Sequence, residues 1–227
     1  MKGLFSRKGN LYVFVGPVAS GKSTLRKFIT AYLTCKGMLV LTLMHKTFLP
    51  RFIELLRKIV GEKATVNAYL NLYKLFLLVD LIIWIILVFW LYICSKIFQI
   101  IIIEDYLVGA LHDYIYITRF FLKKRTKIAR LSIIIPLLLL WICKPKYIVY
   151  IYVDEMESRR RQLLRGDKQL EHELYLKSQY MLLYRIAKIL CQSLGIELIM
   201  IDTTALNPVR SSSSLILALG LKHQRFR

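Results

Sequence analysis

Residues 16–24 read Gly16-Pro17-Val18-Ala19-Ser20-Gly21-Lys22-Ser23-Thr24, which fits the pattern G-x-x-x-x-G-K-[ST] at every fixed position. A continuous apolar run at residues 11–15 precedes this segment, and a helical spacing of apolar residues begins at residue 22. A buried strand, a glycine-rich turn and a helix in that order are typical of the phosphate-binding P-loop. The segment therefore predicts that residues 16–24 bind the phosphates of ATP at the N terminus of a helix.

The motif also predicts the roles of individual side chains. Lys22 is expected to neutralise the β- and γ-phosphates of ATP, and the Ser23 hydroxyl to ligate Mg²⁺. A partner carboxylate should stand at the end of a neighbouring strand, where Glu104 and Asp105 follow the apolar run at residues 100–103. Either acid could hold Mg²⁺ through a water molecule, and the alternative is a solvated strand end.

Arginines follow the apolar run at residues 147–153. Arg161 and Arg165 lie four residues apart and therefore share one face of a predicted helix. Arginines so placed can close over bound phosphates and stabilise the charge that develops during phosphoryl transfer. The alternative is an exposed basic helix face, and the residues alone leave both interpretations open.

Strand and helix patterns alternate along almost the whole chain, which predicts a single α/β domain over residues 1–227. Strands are predicted at residues 11–15, 39–43, 100–103, 147–153 and 197–201. Helices are predicted at residues 22–35, 49–60, 67–94, 107–122, 131–143, 155–165, 169–194 and 208–219, with a break at residues 95–99. This alternation is typical of a parallel sheet that is covered by helices on both faces.

These features resemble the thymidylate kinases, a branch of the P-loop nucleoside monophosphate kinases. Besides the P-loop, four segments carry the resemblance: a D-R-Y-like Glu104-Asp105-Tyr106, a P-D-L-T-like segment with its strand from Lys144-Pro145-Lys146 to Val153-Asp154, a lid-like Arg161 with Arg165-Gly166-Asp167, and an I-D-A-like Ile201-Asp202-Thr203-Thr204. The family's loop after I-D-A lies beside adenine, which implies nucleotide contacts for Thr203 and Thr204. The resemblance implies a five-stranded parallel sheet, Mg-ATP as the phosphoryl donor and a nucleoside monophosphate as the acceptor.

The departures from the family pattern fall on the acceptor side. Val18 stands where the family usually has an acidic residue, and Asp105 replaces the arginine of D-R-Y. Thr42-Leu43-Met44-His45 stands in place of an E-P-G-G loop, and Val79-Asp80-Leu81 lacks the arginine of A-D-R. ATP binding therefore follows more securely than phosphorylation of dTMP. A membrane-associated nucleotide switch or scaffold without kinase activity is the alternative function.

The composition combines high apolarity with a strong positive charge. The chain is 56% hydrophobic, with 34 Lys and Arg against 14 Asp and Glu, a net charge of +20 and a mean hydropathy of +0.50. Such a chain suits an anionic membrane surface, to which each nearby Lys or Arg is attracted by about 1 kcal/mol. Nucleic acid would also attract this charge, but the sequence contains no recognised nucleic-acid-binding motif, which ranks that partner lower.

Two apolar helical segments, residues 75–94 and 131–143, are candidates for membrane contact. The first has the length of a membrane span, about 20 residues. One crossing would nevertheless separate the strand at residues 100–103 from the strand at residues 11–15, with which it should pair. We therefore expect monotopic membrane contact or a protein partner, which includes a second copy of the chain in a homodimer. The basic run at residues 123–127 fits a lipid headgroup region or a solvated loop.

The chain shows no secretory signal in its first residues, so the P-loop is expected in the cytoplasm, with peripheral contact at the cytosolic face of a membrane. Its 4 cysteines lie far apart and form no C-x-x-C pair. This spacing argues against a zinc site and against a disulfide framework.

Overall fold

A computed structural model describes residues 10–44, 62–117, 127–166 and 173–221 of the protein. The predicted helix at residues 49–60, the basic run at residues 123–126 and Asp167 of the lid-like segment lie outside these described residues. The strands are β1 (Asn10–Val15), β2 (Val40–Met44), β3 (Ile100–Glu104), β4 (Tyr147–Tyr152) and β5 (Glu197–Asp202). They form a five-stranded sheet in the order β2-β3-β1-β4-β5, in which every neighbouring pair is parallel. The predicted parallel sheet is confirmed.

The helices connect these strands and lie on both faces of the sheet. They are α1 (Lys22–Cys35), α2 (Glu62–Ile97), α3 (Tyr106–Tyr116), α4 (Lys127–Ile142), α5 (Glu155–Leu164), α6 (Glu173–Ser178), α7 (Tyr184–Leu194) and α8 (Pro208–Ala218). A π-helical turn, Gln179–Leu183, joins α6 directly to α7. Pro136 lies inside α4 and does not end the helix.

Alternate residues of the buried strands face two separate cores. In β1, Leu11, Val13 and Val15 pack with α2, α3, α4 and α7 on one face of the sheet. Tyr12 and Phe14 pack with α1 and α8 on the other face. This period of two explains why β1 is apolar at almost every position, because a central parallel strand is buried on both sides.

The apolar helix α2 ends later than predicted. The expected break at residues 95–99 is wrong for its first part, because α2 continues to Ile97 and only Phe98 and Gln99 separate it from β3. Ser95 stays in the helix because its hydroxyl donates a 2.7 Å hydrogen bond to the Tyr92 carbonyl. Short side-chain hydrogen bonds of this kind let a serine remain in a helical segment. The predicted pairing of the third strand with the first is confirmed, since β3 is hydrogen-bonded to β1.

Helix α2 buries one face and exposes another apolar face. Asp80, Trp84 and Leu91 point into the core, whereas the opposite stripe of the helix is exposed. Helix α4 contacts α2 and continues this exposed surface. The α2–α4 apolar face is defined here by Leu78, Ile82, Ile85, Phe89 and Ile93 of α2 and by Ile134, Leu137, Leu138 and Trp141 of α4. Among the described residues, Leu77–Ile97 is long and apolar enough to span a membrane by length and composition, and 28% of it is buried.

Candidate phosphate-binding site

The loop between β1 and α1 is shaped by close backbone contacts. Gly16 follows β1 directly, and a Cβ atom at this position would lie 2.2 Å from the carbonyl oxygen of Ile151 in β4. Gly21 precedes α1 with a left-handed backbone of φ 91°, which glycine adopts without a steric penalty. No side chain of the described ranges caps the N terminus of α1. The first N–H groups of a helix have no partner within the helix, so they can bind an anion here.

Lys22 lies between this loop and the end of β3. Its ammonium group donates hydrogen bonds of 2.6 Å to the Gly16 carbonyl and 3.0 Å to the Pro17 carbonyl. The same Nζ atom is 3.8 Å from Oδ1 of Asp105. The positive charge is therefore held beside the loop, at the edge where β1 and β3 both end.

Glu104, the last residue of β3, is brought to the P-loop serine. The Ser23 hydroxyl donates a 2.9 Å hydrogen bond to Glu104 Oε2, and Arg26 Nε contacts Oε1 of the same carboxylate at 2.5 Å. The sequence left Glu104 and Asp105 as equal candidates for the metal, and the structure brings Glu104 to Ser23 and Asp105 to Lys22. A hydroxyl and a carboxylate oxygen are hard ligands of the kind that Mg²⁺ takes alongside several waters. The residues present fit this ion.

Arg26 is a site residue that the sequence analysis missed. It lies three residues after Ser23 on α1, so both side chains project from the same side of the first helical turns. The three-residue spacing from Ser23 could therefore have indicated Arg26 as a site residue from the sequence alone. The carboxylate of Glu104 is almost completely buried, and burying a charged group is costly unless an opposite charge or hydrogen-bond donors accompany it.

A cleft of about 370 Å³ opens on the β4–β5 side of the P-loop. Its lining comes from the loop and α1, from α5, and from the segment after β5, and includes Gly21, Thr24, Arg160, Arg161, Arg165, Thr203, Thr204 and Asn207. The structure thus brings Thr203, Thr204, Arg161 and Arg165 to the same cleft as the P-loop. Arg165 caps the C-terminal end of α5 and is exposed. The guanidinium of Arg161, in contrast, is hydrogen-bonded to neighbouring protein groups.

Arg161 links the segment after β5 to the P-loop. Its Nη2 donates a 2.6 Å hydrogen bond to the Thr203 carbonyl, and its Nε donates one of 2.8 Å to Glu157. The Thr203 hydroxyl in turn donates to the Ser20 carbonyl at 2.8 Å. In this conformation Arg161 shapes the cleft through protein contacts, while Arg165 at the end of the same helix is the more accessible cation.

Glu157 lies in the same cleft beside two arginines. Hydrogen bonds from Arg160 and Arg161 to its carboxylate lower the pKa of Glu157 to about 2. The carboxylate is therefore ionised at neutral pH, and it fixes the guanidinium of Arg161 in the direction of Thr203.

Two further contacts that the sequence analysis missed hold the middle of the P-loop. The Val18 amide donates a 3.0 Å hydrogen bond to Gln179 Oε1, and the Ser158 hydroxyl donates one of 2.7 Å to the Val18 carbonyl. Gln179 begins the π-helical turn, and such turns are frequent at functional sites. No local pattern could have indicated these contacts, because the partners lie 161 and 140 residues apart.

Asp80 of α2 stands at the position of the aspartate in the A-D-R motif of the resemblance, whose arginine is replaced here by Leu81. The Asp80 side chain is buried in the core. The hydroxyl of Tyr114 in α3 donates a 2.7 Å hydrogen bond to Asp80 Oδ2. This contact joins the two helices.

A five-stranded parallel sheet in this order, with a glycine-rich loop of the P-loop pattern after β1 and an acid at the end of the adjacent β3, defines a P-loop NTPase fold. No protein-family model and no curated protein matches the chain.

Within that class, the protein has a thymidylate-kinase-like fold. It is similar to the structure of thymidylate kinase from Candida albicans with a TM-score of 0.56 and 16% sequence identity, over 96% of this chain and 94% of that chain. It is similar to deoxyadenosine kinase from M. mycoides, in a structure with dCMP and dCDP bound, with a TM-score of 0.56 and 16% identity, over 93% of this chain and 99% of that chain.

Proposed function

We propose that this protein binds Mg-ATP and transfers its γ-phosphoryl group to a nucleoside or nucleotide acceptor. The observation that carries the proposal is the hydrogen bond between Ser23 and Glu104 beside the Lys22 ammonium group. This arrangement assembles an oxygen-rich metal site and a phosphate-neutralising cation at the open N terminus of α1. The neighbours of the same fold are a thymidylate kinase and a deoxyadenosine kinase, which supports acceptors of the nucleoside class.

Each part of the site has a proposed role in this reaction. The backbone of residues 16–24 cradles the phosphates, and Lys22 neutralises them. Ser23 and Glu104 would hold Mg²⁺, which neutralises charge on the β- and γ-phosphates when bound. On the cleft side, Thr203 and Thr204 lie beside the nucleotide. The protein contributes mainly by holding the reacting groups in line and by excluding misaligned geometries.

Arg161 and Arg165, which follow β4, have different proposed roles. Arg161 holds the segment after β5 against the P-loop through its bond to the Thr203 carbonyl. Arg165 is exposed at the rim of the cleft, where it can approach the phosphates and stabilise developing charge. Both residues therefore act on the donor nucleotide, one by shaping its cleft and one by contact.

The proposal is tested by ADP formation from ATP in the presence of Mg²⁺, with and without a panel of deoxynucleosides and their 5′-monophosphates. Acceptor-dependent ADP formation, with a phosphorylated acceptor detected by mass spectrometry, is the expected result. ATP binding without any acceptor dependence would instead favour the nucleotide-dependent switch or scaffold. Absence of ATP binding in calorimetry would contradict both functions.

We also propose that the α2–α4 apolar face lies on the cytosolic surface of an anionic membrane. The exposed stripe from Leu78 to Ile93 has no charged residue, and Lys96 continues it at the C-terminal end of α2. Trp90 and Trp141 are both exposed, and tryptophan is enriched at membrane interfaces. A net charge of +20 complements anionic lipid, whereas an interface with another protein usually includes hydrogen-bonding groups.

Flotation with lipid vesicles tests this membrane contact. The full chain should float with vesicles of phosphatidylcholine and phosphatidylserine, and less with phosphatidylcholine alone. The double variant Ile85→Glu/Phe89→Glu should remain unbound, whereas Val209→Glu, an equally exposed position on the opposite face of the sheet, should float like the wild type. The opposite result would be a wild type that floats with neither kind of vesicle and forms a dimer in solution. If Phe89→Glu then dissociated this dimer, a second copy of the chain would be what covers this face.

A further inference from the structure

Two side chains hold the backbone of Val18, in the middle of the P-loop, from both ends. The Val18 amide donates a 3.0 Å hydrogen bond to Gln179 Oε1, and the Ser158 hydroxyl donates one of 2.7 Å to the Val18 carbonyl. Ser158 is fully buried and Gln179 is 8% exposed, so water competes little for either bond. The two peptide groups that meet at Val18 therefore have fixed orientations.

The bond to Gln179 also decides where the Pro17 carbonyl points. In a trans peptide, the carbonyl of one residue and the amide of the next lie in one plane and point in opposite directions, and the described part of the chain contains no cis peptide. Because Gln179 holds the Val18 amide, the Pro17 carbonyl faces the other way, where it accepts a 3.0 Å hydrogen bond from Lys22 Nζ. Gln179 thus helps to hold the Lys22 ammonium group through the peptide group between them.

The bond from Ser158 has a matching effect on the amides that follow. The carbonyl that Ser158 holds belongs to the same peptide group as the Ala19 amide, so this amide points away from α5. The Thr203 hydroxyl holds the Ser20 carbonyl at 2.8 Å, which turns the Gly21 amide away from the segment after β5. Within the described ranges, neither the Ala19 nor the Gly21 amide donates a hydrogen bond to the protein. Backbone amides left open in a turn form a concave site for an anion.

The backbone of Ala19 needs this support because it is strained. Ala19 has φ 58°, a value that residues other than glycine rarely adopt. Such conformations persist only where the surroundings determine them. Here the Ser158 bond fixes the peptide group before Ala19, and a 3.3 Å hydrogen bond from the Ser20 amide to the Pro17 carbonyl fixes the one after it. Without the Ser158 hydroxyl, Ala19 could relax to a common conformation, which would rotate its amide out of the anion site.

The π-helical turn that carries Gln179 is itself anchored to α3. Ser178, the residue before Gln179, is hydrogen-bonded through its hydroxyl to Nε2 of His112 in α3 at 3.0 Å, and both side chains are buried. The Ser178 hydroxyl also donates a 2.7 Å hydrogen bond to the Tyr175 carbonyl. The start of the turn is therefore held from two sides, and Gln179 reaches the P-loop from a fixed position.

We propose that Ser158 and Gln179 are positioning residues that keep the empty P-loop in the conformation that binds phosphate. The proposal rests on the proposed phosphotransferase function and assigns two residues to its donor site. Gln179 turns the Pro17 carbonyl towards Lys22, and Ser158 keeps the Ala19 amide open to a ligand. A ligand binds with its full affinity only to the fraction of molecules that are in the competent conformation. The two bonds raise that fraction before ATP arrives.

Competition binding with two partial ligands tests the proposal. A fluorescent ATP analogue is displaced by inorganic tripolyphosphate, which requires the P-loop alone, or by adenosine, which requires the cleft alone. Ser158→Ala and Gln179→Met should each weaken tripolyphosphate binding by about tenfold, the effect of losing one hydrogen bond that keeps the loop competent. Adenosine binding should not change. Ser95→Ala is the matched control and should leave both affinities unchanged, because Ser95 is also buried and donates a 2.7 Å bond to a backbone carbonyl, but in α2.

The outcomes separate this proposal from the proposed function. Unchanged tripolyphosphate affinity in both variants would overturn the role of Ser158 and Gln179. An equal loss of adenosine affinity would overturn it as well, because the whole cleft would then have loosened. In either case, binding of the ATP analogue by the wild type would leave the proposed function standing. A wild type that binds neither the analogue nor tripolyphosphate would contradict both. Urea denaturation shows that each variant is folded under the conditions of the binding measurement.

Discussion

The Ser23 hydroxyl donates a 2.9 Å hydrogen bond to Oε2 of Glu104, although the two residues are 81 positions apart in the chain. They meet because β1 and β3 are parallel neighbours, so that the residues after β1 and the last residue of β3 reach the same edge of the sheet. Arg26 contacts the other carboxylate oxygen. The two oxygen groups that would bind Mg²⁺ are therefore already side by side.

Glu104→Gln should lower Mg²⁺-dependent ADP formation by roughly 10²-fold or more, because a neutral amide neither attracts the cation nor orients its waters. The measurement is ADP formation titrated with Mg²⁺, in which the variant should require far more metal. Glu197→Gln, an exposed acid at the start of β5, provides the control. An unchanged Mg²⁺ dependence in Glu104→Gln would show that Glu104 is structural only.

Arg26 and Glu104 should be coupled in stability. Glu104→Gln leaves the guanidinium of Arg26 without its carboxylate, and Arg26→Gln leaves a buried carboxylate with fewer donors. Each single change should destabilise the fold by roughly 1–3 kcal/mol, and the double variant should cost less than the two added together. Urea denaturation of the four proteins measures this coupling. Additive losses would mean that the contact contributes nothing to stability.

The sequence predicted the P-loop and the parallel sheet because both follow from local patterns. The run at residues 11–15 is apolar at every position, and the turn after it requires glycines at fixed spacing. Even the meeting of β3 with the P-loop followed from the rule that neighbouring parallel strands end at one edge. The choice between Glu104 and Asp105 did not follow, because the backbone turn that sends Asp105 towards Lys22 has no sequence signature.

Other features depended on tertiary packing. The bonds from Gln179 and Ser158 to Val18 join segments that are remote in the chain. The sequence predicted that the helix would break at the polar residue Ser95. Helix α2 instead continues through Ser95, whose hydroxyl forms a hydrogen bond within the helix. Helix α2 is apolar on most sides, and one apolar stripe of it is exposed. The composition of the helix could not indicate which of its faces would be exposed.

Lys22→Ala should abolish detectable ATP binding, because the triphosphate would lose the cation that neutralises it at the N terminus of α1. Isothermal titration calorimetry with Mg-ATP measures the affinity directly. Lys27→Ala removes the same charge from an exposed position of the same helix, so it should bind ATP like the wild type. Equal affinity in Lys22→Ala and Lys27→Ala would contradict a P-loop role for residues 16–24.

Arg161→Ala should weaken ATP binding by about tenfold and loosen the segment after β5. The guanidinium holds the Thr203 carbonyl at 2.6 Å, and the loss of a hydrogen bond from a charged donor costs about 1.5–3 kcal/mol. Amide hydrogen exchange should accelerate around Thr203 and Thr204. Arg159→Ala, on the same helix, changes the charge equally and should leave this segment protected. Unaltered exchange in Arg161→Ala would show that Thr203 is held by other contacts.

Glu157 should stabilise the fold in a pH-dependent way. Its pKa is lowered to about 2 by the hydrogen bonds from Arg160 and Arg161, whereas an unperturbed glutamate has a pKa of about 4.3. A depressed folded-state pKa means that the stabilisation is fully present above about pH 4.3 and is lost as the pH falls towards 2. The stability difference between wild type and Glu157→Gln, measured by urea denaturation, should therefore shrink steadily over that interval. Glu155→Gln controls for removal of a charge near the same helix N terminus. A difference that stayed constant down to pH 2 would mean that the ion pairs with Arg160 and Arg161 do not form in solution.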